Sequence, residues 1–305
     1  MAQFDSKRAR GQFLEFEHPG GTIRVHYHEA GSGDRHVMLV QSGGAGTSAY
    51  MSWFPNIDAF AAAGYHVHAP DMIGFAQSEV VGKPGERINS SEFLVGFMDA
   101  RGIPSAHYMG NSMGSNAITR LAVDAPQRVR SLIVTGGEPR IETEESRAIS
   151  RELGKTPRTD FVREMFSKPE VSFEDMRHAT ADFFYDRDHP AIEPIARSRL
   201  AMVTRPGVQE RERAAAFRQI EGGRDTFGSS NLARIQAPTY LVHGRDEPHF
   251  YPAEVAPALV EAAFRVCQVI PDCSCTVLSY CGHWPQIERA ETFNALALQF
   301  IGSVR

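Results

Sequence analysis

The feature that most constrains this chain is an alternation of strand-like and helix-like segments in its first 135 residues. Short apolar or alternating runs stand at Thr22 to Glu29, His36 to Val40, Tyr65 to Ala69, Ala106 to Gly110 and Val129 to Thr135. Between them lie segments with helical periodicity, at Pro55 to Ala63, Glu86 to Arg101 and Met113 to Val123. Most are punctuated by glycine or by Pro70-Asp71. A strand covered on both faces reads as a continuous apolar run, and strands alternating with helices need a parallel sheet to bury both. The expected class is therefore α/β, with a mostly parallel central sheet and helices on both faces.

The alternation then stops. From Glu138 to Thr226 the chain is rich in Arg, Glu and aromatics, with apolar residues at three- and four-residue spacing in Phe161 to Phe166, Phe173 to Phe184 and Ile192 to Val203. Strand-like sequence resumes at Pro238 to His243 and ends at Cys275 to Tyr280, with helices expected at Glu254 to Phe264 and Glu288 to Ile301. The simplest organisation is a core formed by residues 1–137 and 227–305, interrupted by a helical lid at 138–226.

Composition narrows the function classes. The 305 residues carry 32 basic and 37 acidic side chains, a net charge of -5, so a nucleic-acid or anionic-membrane partner is not expected. The N-terminus has no apolar signal-like core and no apolar run reaches about 20 residues, which points to a cytoplasmic enzyme with a small-molecule substrate. Cys267, Cys273, Cys275 and Cys281 lack zinc-knuckle spacing and read as free thiols. Neither metal nor other cofactor is expected. His26 and His28 alternate in a strand and are expected on a solvated face.

The chemistry concentrates at Gly110-Asn111-Ser112-Met113-Gly114. This G-x-S-x-G run directly follows a predicted strand and directly precedes a predicted helix. A turn that sharp admits only small neighbours, and it lifts the serine hydroxyl to a helix N-terminus, where negative charge is favoured. Serine needs a base to become a nucleophile. His283, on the loop after the last strand, is the expected base, and Asp246, just past Pro238 to His243, the expected acid; Glu247 and Glu138 are its competitors. Two backbone N–H groups must hold the developing oxyanion. Met113 supplies one; the other comes from Gln41-Ser42-Gly43-Gly44-Ala45-Gly46, with Gly43 the first choice and Ser42 and Gly44 the alternatives. The Gly-rich loop lacks the spacing of either nucleotide-binding motif.

This order of nucleophile, acid and histidine resembles the α/β-hydrolase superfamily over nearly the whole chain. More narrowly, Gly110 to Gly114, the stretch CGHWPQIERAETFN from Cys281 to Asn294, and DMIGFAQS from Asp71 to Ser78 are similar to motifs of the meta-cleavage product hydrolases. Those enzymes cut carbon–carbon bonds in vinylogous 1,5-diketones from aromatic ring degradation. The resemblance implies the α/β-hydrolase fold with a helical lid, and assembly as a dimer or larger. It also implies substrate contacts from a lid arginine, Arg199 with Arg197 as the near alternative, and from Asn111 and Trp284. The chain departs from the family at Gln41-Ser42, where H-G is usual, and at Ser52, which stands near the place of a substrate-binding asparagine. The expected activity is serine-dependent hydrolysis of a carbon–carbon bond beside a ketone; ester or lactone hydrolysis by the same triad is the alternative.

Overall fold

A computed structural model of the chain describes residues 4–5, 10–81, 88–137, 157–206, 208, 229–247 and 256–304. Nine strands form one sheet in the order β1-β2-β4-β3-β6-β7-β8-β9, with β5 paired to β2 off this path. They are β1 Gln12–His18, β2 Gly21–Ala30, β3 His36–Val40, β4 His66–Pro70, β5 Glu79–Val81, β6 Ala106–Asn111, β7 Val129–Thr135, β8 Thr239–Gly244 and β9 Cys273–Leu278. From β4 to β9 every pairing along the path is parallel; β1, β2 and β5 form an antiparallel flank.

The apolar runs work as two-sided walls because successive side chains in a strand point to opposite faces. In β3, Met38 and Val40 join one core while Val37 and Leu39 join the other. On the first face lie helix α2 (Ser90–Ala100), through Phe93 and Phe97, and helix α3 (Met113–Asp124), through Ile118 and Leu121. On the second lie helix α1 (Ala49–Ala62), through Trp53 and Phe60, and the C-terminal helix Ala290–Ser303, through Phe293 and Ile301.

Several expectations shift. Helix α1 begins at Ala49 rather than Pro55, because Ser48 caps it by accepting the Met51 N–H at 3.2 Å. Pro55 therefore lies inside the helix, and its carbonyl accepts from Asn294 Nδ2 at 3.2 Å. The final helical run divides into Pro285–Glu288 and Ala290–Ser303. Strands β1 and β5 had no counterpart in the sequence reading. Strand β1 alternates without an apolar run because it is the outer strand of the antiparallel flank, and β5 has only three residues. His26 and His28 are buried rather than solvated. His26 sits between the Asp71 carboxylate (Nδ1 to Oδ2, 2.7 Å) and the Arg10 carbonyl (2.7 Å), and the other Asp71 oxygen accepts the Ala49 N–H at 2.7 Å.

Between β7 and β8 the described residues form helices only: Pro157–Ser167, Phe173–Ala181, Ile192–Val203 and the short Ser229–Leu232. The first three share a separate apolar cluster that includes Phe166, Met176, Ala179, Ala196 and Val203, with Ala45 of the loop after β3 packed against it. Glu138 and the proposed boundary segments of the insertion lie outside the described residues.

Candidate active site

The site is assembled at the carboxyl ends of the parallel strands, beginning with the central strand β6, whose six residues are all buried. Ser112 follows it with φ 56° and ψ -111°, one of three non-glycine residues at positive φ among those described. Such a backbone costs of order 1–3 kcal/mol and persists only when its surroundings fix it. Here they do. The Ser112 N–H donates to Thr135 O (2.9 Å), and Ser115 Oγ lies 2.8 Å from both Gly110 O and Thr135 O. A Cβ on Gly110 would reach the Gly114 carbonyl carbon at 2.5 Å, and one on Gly114 would collide with Val40 O. Both motif glycines are therefore required by close backbone approach.

The loop after β3 crosses the start of α3. A Cβ built on Gly43 would sit 3.2 Å from Met113 Cβ, so the two expected oxyanion donors belong to adjoining residues. Thr47 clamps this loop: its Oγ1 donates toward Ser42 O (3.1 Å) and Gly44 O (2.8 Å). Gln41 is wholly buried, with Oε1 accepting the Met72 N–H at 3.1 Å and Nε2 donating to Thr47 O at 3.4 Å. In place of the family's histidine it ties two backbone segments together. Ser42 and Ser52, the other departures, face each other with Oγ atoms 3.3 Å apart, both buried.

His283 is 2% exposed. Its N–H donates to Phe183 O at 2.8 Å, and its Nδ1 lies 2.9 Å from Glu247 Oε2. Glu247 is itself 3% exposed. The carboxylate on the imidazole is thus Glu247, and the expectation for Asp246 needs correction. Asp246 turns the other way, pairing with Arg245 at 3.0 Å and accepting the Tyr280 N–H at 2.6 Å. The chain after β8 is irregular and adjacent side chains diverge, so one residue decides which carboxylate faces inward. Asp246 still serves the site indirectly, since Tyr280 (φ 53°) lies on the loop that carries His283.

Asn111, expected at the pocket's polar end, ties the nucleophile strand to the histidine loop. Its Nδ2 donates to His283 O (3.1 Å) and lies 3.3 Å from Gln286 Oε1. Trp284 is fully buried and stacks on Phe183 at 4.2 Å with a 7° interplanar angle. The sequence reading did not single out Glu288, although it lies within the quoted CGHWPQIERAETFN stretch. Its carboxylate accepts backbone N–H groups from Gly282 (2.7 Å), Asp186 (2.8 Å) and Tyr185 (3.2 Å), pinning the helical insertion to the histidine loop. Burial pushes its pKa up, partly offset by those three donors.

Arg199 is 2% exposed, on the inserted helix Ile192–Val203. Its Nε donates to Ala45 O at 3.0 Å and its Nη1 to Thr180 Oγ1 at 2.9 Å, so it joins the insertion to the oxyanion loop. Gly44 lies beside it: a Cβ there would be 3.8 Å from Arg199 Nη2. Arg197, the alternative, is exposed and pairs with Glu193 at 2.7 Å.

The sequence matches a known family. The alpha/beta hydrolase fold family matches residues 36–290. The chain belongs to the α/β-hydrolase family. It is 30% identical over 282 residues to a 2-hydroxy-6-oxo-6-phenylhexa-2,4-dienoate hydrolase of Comamonas testosteroni, covering 91% of each chain. It is 28% identical over 305 residues to a 2-hydroxy-6-oxononadienedioate/2-hydroxy-6-oxononatrienedioate hydrolase of Paraburkholderia phymatum, covering 97% of each. Among solved structures, the meta-cleavage product hydrolase CumD from Pseudomonas fluorescens IP01 superposes with a TM-score of 0.72 at 26% identity, over 97% of this chain and 98% of that one. Within the α/β-hydrolases, the chain thus resembles the meta-cleavage product hydrolases. No helix among the described residues is long and apolar enough to cross a membrane.

Proposed function

We propose that this protein is a serine-dependent hydrolase of carbon–carbon bonds, acting on a vinylogous diketone that carries an anionic end. The observation that carries the reading is the buried Glu247–His283 contact at 2.9 Å, on the loops beside the strained Ser112 elbow. With Nδ1–H donated to Glu247, the imidazole keeps its Nε2 lone pair to act as a base. His283 then assists ketonisation of the dienol and takes a proton from Ser112 Oγ or from water. Oxygen adds to the ketone carbon, and the carbonyl electron pair moves onto oxygen. The N–H groups of Gly43 and Met113 hold that oxyanion. Its collapse breaks the carbon–carbon bond, and the departing carbon, stabilised as a dienolate, takes the proton back from His283. In the serine route a water then attacks the acyl-enzyme and releases the acyl group.

The buried Arg199 holds a permanent positive charge beside the oxyanion loop, which suits the carboxylate end of such a substrate. The insertion at 138–226 serves as the lid, held over the histidine loop by Phe183 and by Glu288. The relatives' names support a dienoate-type substrate for this chain. Ser42 and Ser52, small hydroxyls facing each other, stand where the chain departs from the family's motif. The test is a substrate panel of ring-cleavage dienones, β-diketones, lactones and p-nitrophenyl esters. The proposal expects the highest kcat/KM on a dienone, with both cleavage products recovered. Turnover of esters or lactones alone would establish the ester-hydrolase reading instead.

A further inference from the structure

Away from the active site, at the opposite ends of the strands, three histidines gather on one face of the sheet. His36 opens β3 and His66 opens β4, and the two are register partners across the parallel pair. His68 follows two residues later on β4 and therefore points to the same side as His66. The His66 and His68 ring centroids are 4.2 Å apart, and His36 lies 5.3 Å from each. One ring nitrogen from each residue can be chosen so that all three lie within 4.8 Å of one another. Among the described residues no other group of three His, Cys, Asp or Glu side chains has this arrangement.

A fourth donor adjoins them. Glu29 Oε1 contacts His66 Nε2 and stands 3.9 Å from His68 Nδ1. Arg101 and Gln12 hold the same carboxylate in place, Gln12 Nε2 at 2.8 Å from Oε2. On its other side, His66 Nδ1 faces Gly33 O at 3.3 Å, the kind of backbone partner that fixes the tautomer of a ligating histidine and turns Nε2 inward.

We infer that His36, His66 and His68, with Glu29 as the fourth donor, form a binding site for a divalent transition-metal ion of the zinc, cobalt or nickel class. Imidazole nitrogens select these borderline ions over calcium or magnesium, which prefer oxygen. Tetrahedral bonds of about 2.0–2.1 Å place ligand atoms about 3.3–3.4 Å apart, so ring nitrogens now within 4.8 Å of one another must close by up to about 1.5 Å, a movement that side-chain rotation supplies. In the present arrangement His36 Nδ1 lies 3.2 Å from His68 Nε2 and Glu29 contacts His66, and an ion would replace these pairings with bonds to one centre. The ion would cross-link the amino ends of β3 and β4. Ser112 lies beyond the other end of the sheet, five strand residues away at about 3.3 Å each. The site is therefore structural, and the inference stands independently of the hydrolase reading.

Cobalt is the probe, because four-coordinate Co²⁺ shows visible d–d absorption. Titrating the full-length protein with Co²⁺ should produce that absorption at one equivalent, and Zn²⁺ should displace it. Zn²⁺ should also raise Tm while leaving turnover within about twofold. His66→Gln and, separately, His36→Gln should each weaken Co²⁺ binding at least about tenfold, the scale on which metal sites lose affinity when a contributor is removed. Both positions are only part-buried, and circular dichroism with retained hydrolase turnover establishes that each variant is folded. Absence of the absorption, or its persistence in both variants, would overturn the proposal, and so would inhibition of wild-type turnover in step with Co²⁺ binding, which would place the ion at His283.

Discussion

Exchanging the two neighbouring carboxylates for amides separates their roles. Glu247→Gln keeps the size of the side chain but removes the charge 2.9 Å from His283 Nδ1. At that distance and an effective dielectric of 20, the attraction between carboxylate and imidazolium is about 6 kcal/mol. The amide can also turn its NH2 toward Nδ1, which holds the ring in the tautomer unable to accept a proton at Nε2. The corresponding acid-to-amide exchange in serine proteases lowers kcat about 10⁴-fold, or about 5 kcal/mol, and the two figures agree. Glu247→Gln should therefore lower kcat by about 10³- to 10⁴-fold. Asp246→Asn keeps an oxygen for the Tyr280 N–H and loses a half-exposed pair with Arg245, worth about 0–1 kcal/mol, so kcat should fall less than about fivefold. The assay is steady-state kcat for both variants on one dienone and one p-nitrophenyl ester, with folding checked by circular dichroism. If Asp246→Asn proves the more damaging, the assignment of Glu247 fails.

Three further outcomes follow from the same contacts. Gly114→Ala would drive a methyl group into the Val40 carbonyl, and should lower stability by about 1–3 kcal/mol or prevent folding, read from the urea midpoint or soluble yield. Arg199→Met, which keeps much of the side chain's bulk, should raise KM for a carboxylate-bearing dienone about tenfold or more, since a charge-assisted hydrogen bond contributes about 1.5–3 kcal/mol; KM for a neutral ester should change less than about threefold, and an equal change for both would make Arg199 only a structural tie. Acid should destabilise the fold through His107. Burial and then the nearby Arg130 and Arg35 push its pKa down to about 4, so the folded state resists a proton that the unfolded chain accepts below about 6.5. That stabilisation is complete above the unfolded value and is lost as pH falls from about 6.5 toward 4, about 3 kcal/mol in all. His107→Asn, which can keep a partner for Ser131 Oγ, should flatten the urea midpoint between pH 7 and 4.5; an unchanged pH dependence would refute this origin.

What the sequence reveals here depends on how local the signal is. The parallel strands are legible because burial on both faces leaves near-continuous apolar runs, and the helix Ile192–Val203 falls where its periodicity places it. The serine elbow is legible because strand, glycines and helix are contiguous. Strand β1 is not, because its charged, alternating sequence reflects an outer strand completed only by its pairing with β2. The acid is ambiguous for the same reason that a one-residue slip changes faces: Asp246 and Glu247 differ by one backbone step, and tertiary packing alone selects between them. Gln41 stands out in the sequence only as a departure from the family's motif and proves to be a backbone tie, a fact held in Met72 and Thr47 rather than in its own neighbourhood. The three-histidine cluster is invisible because it depends on the register of β3 against β4.

The most direct test of the account is a single-turnover comparison of the wild-type protein with Ser112→Ala on a ring-cleavage dienone, following dienone loss and product appearance together. The account predicts cleavage by the wild type. For Ser112→Ala it predicts a fall of about 10³-fold or more in the cleavage rate while the dienone still binds, as expected when a triad nucleophile is removed. Cleavage by Ser112→Ala at the wild-type rate, or no dienone cleavage by either protein, would contradict it.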